Sequence, residues 1–168
     1  IADIGSATGA FLRYLSKRFP NTQITGIEYI NSLIKKAKSD FPHITFLKGN
    51  VLDKASIKFF FDVITILGVL CIFDDYERVL NNVIAWIKPK GRLILQNMLS
   101  EYDIDVFIKY SSSSKKFVSN QQESRWNIIS EKSLELVAKD NGAKVVSSKP
   151  FLLNVNLNKQ ADVMRSWT

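Results

Sequence analysis

The residues most able to do chemistry sit close to the amino end, in the run Asp3-Ile4-Gly5-Ser6-Ala7-Thr8-Gly9. Glycines at this spacing let the backbone turn sharply and approach a ligand, and a helix starting just after them offers unpaired N–H groups. A dinucleotide fingerprint would need glycine also at positions 7 and 10, which are Ala7 and Ala10. A phosphate-cradling loop would need Gly-Lys-Ser/Thr, where the chain has Gly-Ala-Phe. Two later groups could complete a small-molecule site: Glu28, nineteen residues after Gly9, and the turn Lys48-Gly49-Asn50-Val51. Taken alone, Glu28 is an ordinary solvated strand end and Asn50 an ordinary turn residue. Candidate proton acceptors follow at Asp74, Asp75 and Tyr76, then at Glu101, Tyr102, Asp103 and Asp105. Asp74 could equally cap a helix. His43 is the single histidine and falls far from these groups, so it reads as structural. Cys71 reads as a small buried hydrophobe.

Alternating strands and helices must position these residues. Strands are expected at Ile1–Ile4, Gln23–Ile27, His43–Leu47, Asp62–Leu67 and Arg92–Asn97. The fourth is nearly continuous in Val and Ile, as in a strand covered on both faces. Helices are expected at Ala10–Arg18, where Phe11, Leu12, Leu15 and Phe19 recur at helical spacing, and at Asn31–Ser39. A third runs from about Asp74 to Ile87 with Val79, Leu80, Val83 and Ile84 inward, and ends at a Lys88-Pro89-Lys90-Gly91 turn. The last spans Glu131–Asp140, with Ser130 as N-cap and Gly142 beyond its end. Ala143–Val155 looks strand-like, and Val163–Trp167 could begin a final antiparallel strand. This rhythm predicts an α/β fold with a mostly parallel sheet. Leu99–Asn127 breaks it as a polar, irregular insertion carrying Tyr102, Phe107, Tyr110, Phe117 and Trp126.

The loop from Asp3 to Gly9 resembles motif I of the class I S-adenosylmethionine-dependent methyltransferases, an acid followed by alternating glycines, with Ala7 in place of the middle glycine. Phe61-Asp62-Val63-Ile64 and Trp86-Ile87-Lys88-Pro89-Lys90-Gly91-Arg92-Leu93 resemble later signatures of that family, and both read as structural. The resemblance covers Ile1 to Asn97 well. It implies one three-layer α/β/α domain over 1–168 with about seven strands, the last antiparallel and cut short at Thr168, and Leu99–Asn127 on the substrate side. It further implies an N-terminal cap upstream of Ile1. S-adenosylmethionine would be bound by Asp3, Gly5, Ser6, Ala7, Gly9, Glu28, Tyr29, Asn50, Val51 and Leu67, and S-adenosylhomocysteine released. Glu28 would accept from the ribose hydroxyls, Asn50 from the adenine amino group, and the Val51 backbone would meet a ring nitrogen. No residue stands out as a catalytic base.

The composition is compatible with this. At 168 residues, 46% hydrophobic and 23% charged, the chain suits one soluble domain. No apolar run approaches the roughly 20 residues that span a bilayer, and no targeting signal is visible, so the cytoplasm is the default compartment. One cysteine rules out an intrachain disulfide, and no metal site is expected. The net charge of +7 is spread over Lys35-Lys36-Lys38, Lys88-Lys90-Arg92 and Lys115-Lys116. Neither a base-gripping Asn/Asp-Pro-Pro-Tyr/Phe nor a Pro-Cys pair occurs. A small polar acceptor, neutral or anionic, is therefore the first reading. An RNA-binding protein or RNA methyltransferase drawing on the positive charge is the second, and a non-catalytic relative acting as an interaction module the third.

Overall fold

The structure is a computed structural model, and the residues it describes are 1–110, 123, 124 and 126–150. Its centre is a parallel sheet of β1 (Ala2–Ile4), β2 (Thr25–Glu28), β3 (Thr45–Lys48), β4 (Phe61–Leu67) and β5 (Ile87–Gln96), in the order β3-β2-β1-β4-β5. Ala2 pairs with Thr25 on one side and Ile64 on the other, so β1 lies mid-sheet. All three residues of β1 are buried, as a strand covered on both faces requires.

Helices α1 (Ala10–Arg18) and α2 (Asn31–Asp40) cover one face, where Leu12, Leu15, Ile34 and Ala37 pack with Ile24, Ile44 and Phe46. Helices α3 (Tyr76–Ala85) and α4 (Glu131–Asp140) cover the other, where Val79, Leu80, Val83 and Val137 meet Ile4, Ile64 and Ile66. The expected three-layer α/β/α domain is what forms. Strand order reverses between β1 and β4, and in such sheets the crevice at that reversal is where ligands sit.

Several expectations need correction. α3 is shorter than Asp74–Ile87, because Asp75, not Asp74, caps it by accepting from the Arg78 N–H. The Lys88–Gly91 turn is absorbed into β5 as a bulge: pairing jumps from Phe61–Ile87 to Val63–Arg92, five steps on β5 against two on β4. Lys90 takes φ +66° there, and Lys88 pairs with Asp62 across the bulge. Residues 143–150 are exposed and carry no strand, so that part of the expected Ala143–Val155 strand is absent. The remainder of that segment and Val163–Trp167 lie outside the described residues. Among the described residues the sheet has five strands, and the other two of the expected seven fall partly or wholly outside those residues.

The stretch after β5 is also less irregular than expected. β6 (Leu99–Ser100) runs parallel to β9 (Ile129–Ser130), β7 (Lys109–Tyr110) antiparallel to β8 (Glu123–Ser124), and Val106 bridges Ile128. Ser111–Ser114, Lys115, Lys116 and Phe117 lie outside the described residues.

Candidate functional site

The glycine loop between β1 and α1 is folded back on the end of β2. Gly5 and Ser6 both donate their N–H to the Ile27 carbonyl, and Gly9 donates to Ser6. Gly5, Ala7 and Gly9 all take positive φ, at +72°, +46° and +83°. Gly9 has no alternative: a Cβ there would lie 2.6 Å from Cζ of Phe46. Ala7, by contrast, is exposed and bears its αL conformation at a cost of roughly 1 kcal/mol. The departure from the middle glycine is thus a small backbone strain.

Glu28 holds the loop from the other side. Its Oε2 accepts from the Ala7 N–H at 3.0 Å, and its Oε1 from the Tyr29 and Ile30 N–H groups at 2.8 and 2.9 Å. A carboxylate offers about four acceptor positions, so one remains open, on Oε2. The side chain is only 7% exposed. Glu28 is therefore no solvated strand end, the reading it would have in isolation, but a buried clasp between motif and strand.

Asp3 lies beneath the same loop, 4% exposed, with Oδ1 accepting from the Thr65 hydroxyl at 2.6 Å. Its Oδ2 accepts no hydrogen bond from the described residues. The Asp3 carboxyl is pushed up to about 6: burial raises it most, the Thr65 hydroxyl pulls it back, and the charge of Glu28 adds a further rise. No lysine or arginine among the described residues pairs with Asp3 or Glu28. Two buried acids without a counter-ion are costly in an empty protein and suited to a cationic ligand. Ser6 Oγ is buried, has no hydrogen-bond partner among the described residues and lies against Gly26.

Beyond β3, Asn50 turns inward on its own chain. Its Oδ1 accepts from the Leu52 N–H at 3.0 Å, and its backbone exchanges two hydrogen bonds with Ser56 Oγ. Val51 is buried, its carbonyl held by Asn82 Nδ2, while its N–H bonds to no described residue. Leu67 closes β4 opposite Gln96, and Gly68 follows at φ +67°. Asp3, Glu28, the loop, Asn50, Val51 and Leu67 are thus gathered at the carboxyl ends of the five strands, with Tyr29 exposed at the rim. His43 lies exposed at the opposite, amino end of β3.

The candidate bases are engaged in a different kind of construction. Asn127, fully buried, donates to the Phe73 carbonyl and to Asp74 Oδ1, accepts from the Ile108 N–H, and gives its own N–H to Cys71. Asp74 also pairs with Lys109. Tyr76 donates to Asp105 Oδ2, which also takes the Ser133 hydroxyl, while Oδ1 takes the Ser130 N–H. Burial alone would raise Asp105, but those hydrogen bonds outweigh it and hold its carboxyl low. Burial pushes the Tyr76 phenol and the Cys71 thiol up. Glu101, Tyr102 and Asp103 face Glu131, Lys132 and Glu135 around a cavity of about 340 Å³, and Asp103 pairs with Lys132.

A family model described as a methyltransferase domain matches residues 1–148. The chain belongs to that family. It is 27% identical over 99 residues, 59% of its length, to a demethylmenaquinone methyltransferase of Thermotoga maritima, covering 43% of it. It is 28% identical over 120 residues, 67% of its length, to a malonyl-[acyl-carrier protein] O-methyltransferase of Halalkalibacterium halodurans, covering 42%. The chain thus spans less than half the length of these relatives. In fold it resembles an S-adenosylmethionine-bound amino pentose methyltransferase from Micromonospora echinaspora, with TM-score 0.63, 15% identity, and 84% and 73% of the two chains covered. The α/β fold and the methyltransferase family stand as the sequence suggested. No helix among the described residues is long and apolar enough to cross a membrane.

Two contributors to the candidate site, Thr65 and Asn127, escaped the sequence reading. Thr65 was legible as the one polar residue inside an apolar strand, a sign that it needs a buried partner. Asn127 had no such sign, because a polar residue in a polar stretch looks solvated until the chain folds back.

Proposed function

We infer that this chain is the core of an enzyme that transfers a methyl group from S-adenosylmethionine to a small-molecule acceptor. The observation that carries this is the buried pair Asp3 and Glu28, without a basic partner, beneath a glycine loop at the switch point of the sheet. An anionic dinucleotide pyrophosphate would meet that pair unfavourably, whereas a ligand bearing a positive sulfur would neutralise it. When bound, S-adenosylmethionine supplies a methyl group on a cationic sulfur, which an acceptor atom displaces in line.

Each residue has a part in holding the reactants. The open position on Glu28 Oε2 suits a ribose hydroxyl, and Glu28 already orders the loop through Ala7. The unused Val51 N–H suits an adenine ring nitrogen. Asn50 Oδ1 would have to share itself between Leu52 and an exocyclic amine. Leu67 and Gly68 would line the methionine end of the cofactor. Asn127 and Asp105 fasten the segment after β5 over the carboxyl ends of β4 and β5, where it can exclude water.

The described acceptor side favours a molecule with an apolar body. Ile72, Met98, Ile104, Phe107 and Trp126 are exposed there, and Lys109 is committed to Asp74. The lysines that suggested an anionic acceptor, Lys115 and Lys116, lie outside the described residues. Of the relatives named above, one is a methyltransferase for a demethylmenaquinone and the other an O-methyltransferase for a malonyl group carried on acyl-carrier protein.

Titration calorimetry with S-adenosylmethionine, S-adenosylhomocysteine and NAD tests the reading. Binding of the first two at micromolar level, lost in Glu28→Gln, supports it. Folded protein that takes up neither overturns it.

A further inference from the structure

We propose that Thr65 is a positioning residue for the cofactor: its hydroxyl holds the buried Asp3 carboxylate under the glycine loop and thereby sets how strongly the site prefers the cationic cofactor to its uncharged-sulfur product. The proposal rests on the reading of S-adenosylmethionine as cofactor.

The geometry is specific. Asp3 and Thr65 are directly opposite in the β1–β4 pairing, at the centre of the sheet, and their side chains meet at 2.6 Å. Thr65 is itself 4% exposed and sits between Ile64 and Ile66, in a strand where an apolar residue would be the natural choice. A hydrogen bond to the charged form of a buried acid favours that form, and a 2.6 Å O–H to carboxylate contact is of the short, strong kind.

The surroundings leave Thr65 as the one group acting in that direction. From β2, Glu28 opposes ionisation of Asp3 through its own charge. The loop at 5–9 is uncharged, β4 offers only Thr65 nearby, and no cation from the described residues faces Asp3. Asp3 therefore stands near the balance between neutral and charged, and Thr65 tips it. S-adenosylmethionine carries one more positive charge than S-adenosylhomocysteine, so a charged Asp3 attracts the first more than the second. That difference would help product leave and new cofactor enter.

Thr65→Val removes the hydroxyl and keeps a β-branched side chain suited to the strand. Thr65→Ser restores the hydroxyl alone. Binding of S-adenosylmethionine and S-adenosylhomocysteine to the intact chain is measured calorimetrically from pH 5 to 8, and the Asp3 carboxyl carbon is followed by NMR without ligand. In wild type the ratio of the two affinities should climb with pH as Asp3 ionises. In Thr65→Val the Asp3 titration should move to higher pH and the ratio at pH 7 fall about tenfold, with Thr65→Ser close to wild type. A Thr65→Val protein that binds both ligands with the wild-type ratio, or whose Asp3 titrates unchanged, overturns the role of Thr65 alone. Wild-type protein that binds neither ligand overturns the cofactor reading and this proposal with it.

Discussion

The proposed cofactor side and the proposed acceptor side of this domain are built on opposite principles. Around the glycine loop, position is enforced by exclusion: Gly5, Gly9, Gly26 and Gly49 each sit where an added Cβ would come within 2.8 Å of a neighbouring side chain. Polar groups there are few and buried, and the acids among them have no counter-ion. On the segment after β5, position is enforced by polar hubs instead. Asn127 and Asp105 gather hydrogen bonds from three or more elements while the apolar side chains around them stay exposed. A close-packed half keeps one ligand in one pose; a half tied at a few polar points leaves its surface free to vary with the acceptor.

The largest effect should come from breaking the packed half. Gly9→Ala would bring a methyl group against Phe46 at positive φ, and should cost about 3 kcal/mol, read as a lowered denaturant midpoint. Asp3→Asn should act in the other direction. In the unfolded chain Asp3 ionises near 3.8, and in the fold at about 6, so the folded state holds the proton longer. Wild-type stability therefore falls as pH rises from about 4 to 6 and stays reduced above. Asp3→Asn should be more stable than wild type by about 2 kcal/mol at pH 7, show no gain at pH 3.5, and bind S-adenosylmethionine more weakly. Unfolding curves at the two pH values check the sign.

The polar half should yield locally. Asn127→Ala removes the tie between the loop after β4 and the segment after β5. It should cost about 2 kcal/mol and speed hydrogen exchange at the Ile108 amide, with cofactor affinity nearly unchanged. If affinity falls as far as it does in Glu28→Gln, the two halves are not independent and the contrast fails. The smallest expected effect is Ala7→Gly, which relieves a positive φ and should change stability by no more than about 1 kcal/mol. A modest gain in S-adenosylmethionine affinity would accompany it if the methyl group of Ala7 crowds the ligand.

Legibility followed the same division. The loop, Glu28, the turn at Asn50 and the alternating elements could be read because each is local: a few residues in fixed spacing, a strand of buried aliphatics, a helical stripe. Even there folding added contacts that the local pattern does not show. Glu28 proved to be the clasp of the loop, and Asn50 spends its oxygen on Leu52. Boundaries shifted where a cap or bulge intervened, with Asp75 taking the place expected of Asp74 and the Lys88–Gly91 turn joining β5.

By itself, then, the sequence determined the class of fold, the order of its elements and the loop that marks the cofactor site, because local spacing and hydrophobic period carry that information along the chain. What only the tertiary structure decided is the electrostatics of the site and the way its acceptor side is fastened. Asp3 and Thr65 are sixty-two residues apart, and Asn127 lies fifty-three residues from Asp74. Whether a polar residue is solvated or buried against a distant partner depends on which strands come to lie side by side, and no local pattern records that.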